Sequence, residues 1–476
     1  MKRTKIVATI GPACDGLKTL TQMIRAGMNV ARFNFSHGTQ ASNQRAVERL
    51  RMAAKKLNVP VGIIQDLQGP RIRVGEIDKK GVELLKNETI TLIEDALKNR
   101  FKTTGKVIPI QFIKLSGVLS KNSKVLMLDG LVELKVTAIN NGSVKVKVLK
   151  GGTIYSYKGV NIPGVNLGLP VITKKDILDL KFGLKLGVDF IAQSFVGSGK
   201  DLVELKGLIK KFSPQSNVLV MAKVERKEAV KNIKSIIREA DAVMVARGDL
   251  GIELEPVKVP IIQKEIVKMC LTEGKPVIVA TQMLDSMIKY PKPTRAEVSD
   301  VANAVIDHAD AVMLSGETAF GRYPTEAVKM MRQIIEETEN SIYDDLTEDY
   351  FKEKKLPVTK AVSESVFQLV KDTGAKAIVA ATDSGYTARM VARFRPETKI
   401  IVLVNQKKVE QQLTLSWGIY PVMMPVCRNL DELVAKAIFL VKKQRLVKKG
   451  DKIIIVTGQP VGRSQNMNLV KVHTIE

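Results

Sequence analysis

The sequence predicts an α/β protein whose largest domain is a (β/α)8 TIM barrel, and three features of the chain lead to this prediction. Eight short apolar runs recur between residues 5 and 318, and most of the intervals between them carry helical patterns. The long interval between residues 67 and 190 instead contains several strand-like segments. After residue 345 a second alternation of apolar runs and helical segments begins. We therefore expect a barrel, a β-barrel lid domain inserted after its third strand, and a C-terminal α/β domain.

The eight apolar runs have the length of buried parallel strands. Helical segments such as 17–27, 41–58 and 227–240 lie between them, and this alternation predicts right-handed crossovers within one parallel sheet. The runs are KIVATI (5–10), NVARFNFS (29–36), VGIIQDL (61–67), FIAQSF (190–195), VLVMAKVE (218–225), AVMVARGDL (242–250), PVIVATQM (276–283) and AVMLSGET (311–318).

The interval after the third run predicts the lid. ETITLIE, SKVLMLDG, LVELKVTAI and SVKVKVLKGG alternate as strands do, and Asp129-Gly130 and Asn141-Gly142 are typical hairpin turns. We expect the barrel in residues 1–68 and 164–345, the lid in 69–163 and the last domain in 346–476. The strands predicted for the last domain are 375–382, 398–405, 419–425, 451–458 and 469–475.

Composition narrows the function classes. The chain has 476 residues, of which 45% are hydrophobic, and no apolar run approaches the roughly 20 residues of a membrane span. The net charge of +26 suits anionic partners, but only 5% of residues are aromatic and none interleave with the basic runs, which argues against nucleic-acid binding. The three cysteines are far apart, as expected for the reducing cytoplasm.

Polar residues gather where seven of the eight predicted strands end. In barrels of this kind the active site lies at the carboxyl ends of the strands. A single polar residue there is more often a helix cap or a solvent contact, but seven strands with this feature favour a ligand site. The residues, from the second strand to the eighth, are Arg32, Asn34, Ser36, His37, Asp66, Ser194, Lys223, Glu225, Arg247, Gly248, Asp249, Thr281, Gln282, Ser315 and Glu317.

A lysine and two acids in this group suit a divalent cation and an anionic substrate. Lys223 and Glu225 are two residues apart and so share one face of an extended strand. Glu225 and Asp249, from neighbouring strands, form a candidate carboxylate pair for Mg²⁺. The ion and Lys223 would stabilise an oxyanion or enolate during phosphoryl transfer or a related reaction. A lyase or aldolase that acts on pyruvate-like substrates through a Mg²⁺ enolate remains the alternative.

Six long motifs closely resemble the pyruvate kinase family, and the resemblance covers essentially the whole chain. The motifs are MNVARFNFSHGT (28–39), DLQGPRIRVG (66–75), KVER (223–226), MVARGDLGIE (244–253), ATQMLDSMIKYPKPTRAE (280–297) and MLSGETAFGRYP (313–324). The resemblance implies Mg²⁺- or Mn²⁺-dependent transfer of a phosphoryl group from phosphoenolpyruvate to ADP, giving pyruvate and ATP. It also implies a cytoplasmic homotetramer. A lyase or aldolase would need no nucleotide-binding lid.

The resemblance also implies a role for each matching residue. Arg32 would hold the transferring phosphoryl group, and Lys223 would neutralise both that group and the enolate. Glu225 and Asp249 would bind the metal. Gly248 N–H and Thr281 would contact the substrate carboxylate, with Thr281, Ser315 and Glu317 near the water that protonates the enolate. The positions that match the family's nucleotide-binding residues are Asn34, Phe35, Ser36, His37, Arg73 and Lys158. Lys158 fits an ordinary solvated loop lysine equally well.

Arg71 distinguishes this chain within the resemblance. Within the family that this chain resembles, many enzymes bind K⁺ at residues matching Asn34, Ser36, Asp66 and the Leu67 carbonyl. Those enzymes have a glutamate where this sequence has Arg71. A guanidinium is permanently charged and can replace a monovalent cation. We therefore predict that Arg71 acts as a built-in cation and that K⁺ is not required. An ordinary salt bridge at the lid hinge is the alternative.

The C-terminal domain carries a candidate effector loop. TDSGYTA (382–388) follows a predicted strand and precedes a helix, so Thr382, Ser384, Gly385 and Thr387 would face a phosphate, with Arg463 and Ser464 from the last loop. Asp383 stands where members of the family that respond to fructose bisphosphate often have lysine. We expect a phosphorylated effector other than fructose bisphosphate.

Overall fold

The chain begins with three strands and two helices of a barrel. The structure is a computed structural model that describes residues 2–100, 105–128, 130–165, 168–344, 357–459 and 467–476. The first elements are β1 (Lys5–Ile10), α1 (Leu17–Ala26), β2 (Val30–Asn34), α2 (Gln40–Leu57) and β3 (Gly62–Asp66). Thr39 caps α2 and shares a reciprocal hydrogen-bonded box with Ser42, which fixes where this helix begins.

A curved β sheet follows β3. Its strands are β4 (Ile72–Arg73), β5 (Val82–Leu84), β6 (Thr89–Glu94), β7 (Val107–Ile110), β8 (Lys124–Met127), β9 (Val132–Asn140), β10 (Ser143–Lys150), β11 (Gly152–Ile154) and β12 (Gly159–Asn161), with a 3-10 helix at Asp95–Arg100 and α3 at Leu115–Val118. Seven strands pair in the order β4-β12-β8-β9-β10-β6-β7, and β11 pairs with β5. A bridge between Val74, just after β4, and Ile110, the last residue of β7, brings the edges of the sheet together.

The second half of the barrel returns after this sheet. Its strands are β13 (Phe190–Gln193), β14 (Leu219–Val224), β15 (Ala242–Ala246), β16 (Val277–Ala280) and β17 (Ala311–Leu314). The helices are α4 (Lys174–Leu186), α5 (Gly199–Phe212), α6 (Lys227–Lys231), α7 (Ile233–Glu239), α8 (Arg247–Glu253), α9 (Val259–Glu273), α10 (Arg295–Ile306), α11 (Gly316–Ala319) and α12 (Pro324–Glu339), with 3-10 turns at Pro256–Lys258, Asp285–Ile288 and Ile342–Asp344.

Eight parallel strands close the barrel in the order β1-β17-β16-β15-β14-β13-β3-β2, which confirms the predicted fold. Its interior is packed with side chains such as Val7, Ile64, Phe190 and Met221, so it is a core and not a pore. A larger apolar layer lies between the strands and the surrounding helices. Among the described residues, no helix combines the length and the apolar character needed to cross a bilayer.

Several predicted strands end earlier in the structure than in the sequence analysis. β15 stops at Ala246, so Arg247, Gly248 and Asp249 lie in the first turn of α8 and not on a strand. β17 likewise stops at Leu314, and Glu317 lies in the short helix α11. The predicted helix 227–240 is two helices that meet at Asn232. The two strand corrections share one cause, because short helices begin at the polar ends of these apolar runs.

A five-stranded sheet forms the C-terminal part of the chain. Its elements are α13 (Val358–Thr373), β18 (Ala377–Ala381), α14 (Tyr386–Ala392), β19 (Lys399–Val404), α15 (Lys407–Leu413), β20 (Ile419–Met423), α16 (Leu430–Lys443), β21 (Lys452–Thr457) and β22 (Leu469–Thr474). The order is β20-β19-β18-β21-β22, parallel except for β22, and all five predicted strands are present. Of the predicted turn and loop residues, Asp129, Arg463 and Ser464 lie outside the described residues.

This sheet is fastened to the amino-terminal end of the barrel by a buried ion pair. Asp310, just before β17, receives both terminal nitrogens of Arg395, at 3.3 and 3.1 Å. The same carboxylate accepts hydrogen bonds from the Trp417 and Val277 N–H groups, at 3.0 and 3.1 Å. One aspartate therefore joins the base of the barrel to the C-terminal sheet.

Candidate active site

Lys223 lies at the centre of the carboxyl-terminal mouth of the barrel. Its Nζ is 2.7 Å from Glu225 Oε1, 3.1 Å from Asp66 Oδ1 and 2.7 Å from Ser194 Oγ. Burial favours the neutral amine, but the attraction of the two carboxylates outweighs it, and the pKa of Lys223 is raised. The side chain is therefore a fixed cation that faces the mouth of the barrel.

Arg32 is held beside Lys223 by the same aspartate. Its Nε and Nη2 each lie 2.7 Å from Asp66 Oδ2, and its Nη1 donates to Thr9 Oγ1 at 3.0 Å. Burial alone would raise the pKa of Asp66, but Lys223 and Arg32 lower it. Asp66 thus holds two cations in place, so that both can contact an anion in the mouth of the barrel.

Glu225 and Asp249 provide the oxygen ligands that a hard divalent cation prefers. Burial raises the pKa of Glu225, and Asp249 adds to this effect while Lys223 opposes it, so the two carboxylates are close enough to repel each other. Within the described ranges no cluster of three or more metal-binding side chains occurs. Two carboxylates that leave other positions for substrate oxygens fit Mg²⁺ or Mn²⁺.

The local backbone aims Glu225 into the site. Glu225 Oε2 accepts the Phe195 N–H at 2.8 Å, and Phe195 adopts a positive φ of 56°. This contact connects the end of β13 to the end of β14 and fixes one carboxylate oxygen, while the other contacts Lys223. Asp249 is less constrained and about one quarter exposed, with Oδ1 at 3.6 Å from Arg71 Nη2.

Thr281 lies next to Gly248 on the neighbouring strand end. The Gly248 N–H donates to Thr281 Oγ1 at 2.8 Å, and this hydroxyl donates to Ala280 O at 2.6 Å. Arg247, one of the candidate residues at the strand ends, makes contacts with the protein itself. Its guanidinium donates to the Thr281 carbonyl at 2.9 Å and pairs with Asp300. Gln282 follows Thr281 and is exposed.

Ser315 and Glu317 play different parts at the end of β17. The Glu317 carboxylate accepts backbone N–H groups of Leu284 at 3.0 Å and Ser315 at 2.7 Å, so both of its oxygens hold loops together. Burial raises the pKa of Glu317. The Ser315 hydroxyl is buried and has no hydrogen-bond partner in the described part of the chain. Such an orphaned polar atom beside a cavity marks a position for a ligand or a water.

That cavity opens between the end of β1, the start of α2 and α11. Its volume is about 660 Å³, which is enough for a nucleotide-sized ligand. Its lining includes Arg32, Asn34 and His37, which the sequence analysis selected. It also includes residues that the sequence analysis missed, among them Thr9, Pro12, Asp15, Ser42, Asn43 and Phe320. The Gly11-Pro12 turn directly after the first apolar run is the sequence feature that could have indicated this part of the cavity.

Four cations surround His37 at the mouth of the cavity. Burial lowers the pKa of His37, and the charges of Arg73, Arg71, Arg32 and Lys158 lower it further. Arg73 donates to the Tyr157 carbonyl at 2.9 Å, next to Lys158. Three of these cations, Arg71, Arg73 and Lys158, come from the inserted sheet around β4 and β12, and the cluster would attract a polyphosphate.

The residues that match the family's potassium site lie together at the ends of β2 and β3. Asn34 Oδ1 accepts the Ser36 N–H at 3.1 Å, and the Phe35 N–H donates to Asp66 O at 3.0 Å. The Leu67 carbonyl accepts the Ser194 hydroxyl at 2.7 Å. Asp66 is paired with Arg32 and Lys223, and the ion pair found for Arg71 is with Asp249.

The candidate effector loop forms a tight turn before α14. The Gly385 N–H donates to Thr382 Oγ1 at 3.0 Å, Gly385 has a φ of 77°, and Thr387 is buried. Asp383 accepts a hydrogen bond from the Asn405 amide at 2.8 Å. The structure thus brings Thr382, Ser384 and Gly385 into one turn, with an acid beside them.

Comparisons with known proteins agree with this geometry. Sequence models of the pyruvate kinase barrel domain and of the pyruvate kinase alpha/beta domain match residues 1–328 and 360–473. Pyruvate kinases of Geobacillus stearothermophilus and Sporosarcina psychrophila are 42% and 40% identical over the whole chain, which covers 80% and 81% of their lengths. The crystal structure of a pyruvate kinase from Cryptosporidium parvum superposes with a TM-score of 0.91 at 35% identity, covering 100% of this chain and 96% of that one. The chain belongs to the pyruvate kinase family.

Proposed function

We propose that this chain transfers the phosphoryl group of phosphoenolpyruvate to ADP at the barrel mouth, with residues Arg32, Lys223, Glu225, Asp249, Gly248 and Thr281 as its substrate and metal site. The observation that carries the proposal is the position of Lys223, within 3.1 Å of both Glu225 and Asp66 and beside Arg32. Two fixed cations next to two carboxylates suit a substrate that is itself a phosphate ester and a carboxylate.

Arg32 and Lys223 would bind the phosphoryl group. Asp66 orients both side chains, so their positive ends need little reorganisation as charge develops in the transition state. The bond between phosphorus and the enol oxygen breaks, a bond forms to the β-phosphate oxygen of ADP, and the electron pair stays on the enol oxygen. Lys223 would neutralise that oxygen until a proton adds to the methylene carbon and gives pyruvate.

Glu225 and Asp249 would hold the divalent cation. When bound, Mg²⁺ or Mn²⁺ supplies charge neutralisation for the oxygens of the substrate. The Gly248 N–H, in the first turn of α8, and the Thr281 hydroxyl, just after β16, lie next to each other, and there they would contact the substrate carboxylate. Thr281, with Ser315 nearby, would order the water that gives up the proton. Glu317, whose oxygens both hold backbone N–H groups, would shape this corner without contacting the substrate.

The nucleotide would occupy the cavity of about 660 Å³ beside Arg32 and His37. Asn34 lines its edge towards β2, and Phe35 and Ser36 follow it in the chain. Arg73 and Lys158 would approach from the lid. Burial and the neighbouring positive charges lower the pKa of His37, and the diphosphate would meet Arg73, Arg71 and Lys158 as its counter-charges. Because the proposed nucleotide contacts come from both parts of the chain, they support residues 69–163 as a lid over the barrel of residues 1–68 and 164–345.

The test is ATP formation from phosphoenolpyruvate and ADP by the purified full chain, with and without Mg²⁺. We expect ATP formation only with the divalent ion, and none when ADP is omitted from the buffer. Solvent proton uptake into pyruvate without ATP formation would instead identify a lyase or aldolase that uses the same enolate.

K⁺-independence is a finer part of this proposal. Arg71 reaches from the lid to Asp249 at 3.6 Å, so a permanent cation stands where the lid meets the metal carboxylates. Activity in Tris buffer free of K⁺ and Na⁺ should equal the activity after KCl is added at constant ionic strength. A several-fold activation by KCl, but not by tetramethylammonium chloride, would contradict the assignment.

The C-terminal sheet, residues 346–476, would carry regulation and assembly. An anionic effector would meet Thr382, Ser384, Gly385 and Thr387, and Arg463 is proposed from the sequence. Asp383 disfavours fructose bisphosphate. Titration of phosphoenolpyruvate saturation with sugar phosphates and AMP tests this proposal, and light scattering tests the homotetramer. The three free, buried cysteines support action in a reducing compartment such as the cytoplasm.

A further inference from the structure

Thr281 and Gln282 have an unusual backbone. Both have positive φ angles, 70° and 54°, and they are the only two consecutive non-glycine residues with this feature in the described part of the chain. Positive φ is especially unfavourable for Thr281 because its side chain is branched at Cβ. A strained conformation of this kind persists only where neighbouring contacts impose it.

Arg247 supplies the contact that imposes it. Its Nη2 donates to the Thr281 carbonyl at 2.9 Å and also touches Met283 Sδ at 2.8 Å. The next residue, Gly248, donates its N–H to Thr281 Oγ1 at 2.8 Å. Two consecutive residues at the start of α8 therefore hold the carbonyl and the hydroxyl of Thr281 at the same time, which fixes both its backbone and its side chain.

Asp300 fixes Arg247 in turn. The Arg247 Nη1 and Nη2 atoms each lie 2.7 Å from one oxygen of the Asp300 carboxylate, so the pair is bidentate. Asp300 lies on α10, beyond the loop that starts at Thr281. The guanidinium consequently joins the beginning of this loop to the helix that ends it. The Arg247 side chain is mostly buried, whereas Asp300 is about one third exposed.

We propose that Arg247 is a positioning residue for the reaction, because the Asp300–Arg247 pair holds Thr281 in the left-handed conformation that keeps its hydroxyl beside the Gly248 N–H, where the substrate carboxylate would bind. The proposal rests on the proposed function of Thr281 as the residue that contacts the substrate carboxylate and orders the proton-donating water. Arg247 itself touches neither substrate nor metal in this assignment. It acts through the carbonyl of Thr281.

The test compares Arg247→Ala and Asp300→Asn with the wild-type full chain. Arg247→Ala should lower kcat by about 100-fold, since a shift of about 1 Å in a positioned group has effects of this size. Asp300→Asn keeps the shape of the side chain but removes the charge that orients the guanidinium, so its loss should be smaller. Arg238→Ala is the matched control, because Arg238 is 76% exposed and paired with Glu239 on the outer surface of the barrel.

Three readouts separate positioning from general stability. The combined variant Arg247→Ala/Thr281→Ala should lose at most roughly two-fold more activity than Thr281→Ala alone, because the two residues act as a unit. Guanidinium chloride far below denaturing concentrations should restore activity to Arg247→Ala, and ethylammonium should restore less. In Arg247→Ala, deuterium exchange into the methyl group of pyruvate should slow by at least the same factor as phosphoryl transfer, which is measured in a single turnover.

Additive losses in the double variant, with unchanged deuterium exchange, would overturn the proposal. If Arg247→Ala does not fold, the same comparison is made with Asp300→Asn and Asp300→Asn/Thr281→Ala, because Asp300 is partly exposed and retains its size. A wild-type chain without ATP formation would contradict the proposed function itself. An active wild type with additive variants would contradict only the role of Arg247.

Discussion

The Lys223 ammonium lies 2.7 Å from Glu225 Oε1. Both residues come from the end of one strand, and each charge compensates the other at a buried position in the barrel mouth. Asp66, from β3, takes a second contact with the same ammonium at 3.1 Å. The chain thus buries two acids and a base as one group. Lys223 and Arg32 can each contact an anion directly, while Glu225 remains available to a divalent cation.

Lys223→Met removes the cation from this group. We expect kcat for ATP formation to fall between about 100- and 1000-fold, because a preorganised charge aimed at the developing enolate contributes on this scale. The KM for phosphoenolpyruvate should change less, since Arg32 still meets the phosphate. Steady-state kinetics measures both constants. Lys227→Met, at an exposed lysine four residues later, is the control and should retain wild-type rates.

Much of this site could be predicted from the sequence because strand ends in a barrel converge. Lys223 and Glu225 share a face by simple alternation, and Asp66 ends the third of the eight mainly apolar runs. The partner of Arg247 could not be predicted in this way. Asp300 lies 53 residues further along the chain, and only the packing of α10 against α8 and the loop after β16 brings the two together. Charge at a strand end does not reveal whether a side chain faces the ligand or the layer behind it.

The cavity of about 660 Å³, which we propose for the nucleotide, shows a second limit of sequence reasoning. Its walls come from β1, α2 and α11, and residues such as Ser42 and Phe320 carry no charge pattern that would select them. Their proximity depends on the closure of the barrel between β1 and β17. The resemblance to the family pointed to His37 and Arg73, but the shape of the cavity required the fold.

Arg73→Met tests the lid contribution to nucleotide binding. Arg73 approaches His37 from the lid and is anchored by the Tyr157 carbonyl at 2.9 Å. Loss of one charge-assisted contact should raise the KM for ADP by about tenfold, with little change in the KM for phosphoenolpyruvate. Lys79→Met, at an exposed lid lysine, serves as the control. Equal increases in both KM values would place Arg73 at the phosphoenolpyruvate site instead.

Arg395→Met tests the joint between the barrel and the C-terminal sheet. The Arg395 and Asp310 side chains are only 2% and 8% exposed, and removal of one partner leaves the other charge buried. We expect the free energy of unfolding of the protein to fall by about 3–5 kcal/mol, because an unpaired charge stays buried between the barrel and the C-terminal sheet. Urea unfolding followed by intrinsic Trp417 fluorescence reports this region directly. Arg332→Met, at an exposed helix pair with Glu336, should cost less than about 1 kcal/mol.

His308 gives this joint a defined pH dependence. Burial and the charge of Arg395 lower the pKa of His308 from 6.5 to about 3, even though Asp344 lies 3.8 Å from its Nδ1. Between pH 6.5 and 3 the unfolded chain binds a proton that the folded chain does not, so stability falls as the pH is lowered through this window and this contribution is constant above it. The slope of the unfolding free energy against pH reports how many protons the chain takes up when it unfolds. Between pH 6 and 4 this number should be smaller in His308→Gln than in the wild type, by up to one proton. Identical slopes would show that the imidazole is already protonated in the folded state.

Arg71→Glu reverses the charge at the junction of lid and barrel. In the wild type, the guanidinium lies 3.6 Å from Asp249 Oδ1 and balances part of the negative charge of the metal carboxylates. A glutamate at this position would add a like charge beside Asp249, and a monovalent cation held between Asn34, Ser36, Asp66 and the Leu67 carbonyl would relieve the repulsion. We therefore expect the variant to be nearly inactive without K⁺ and to recover when KCl is added, measured as ATP formation at constant ionic strength. Arg71→Gln separates charge from size, because a neutral side chain should lower activity without creating the same demand for K⁺. If the glutamate variant responds to KCl no more than the wild type does, then the charge of Arg71 does not replace a monovalent ion.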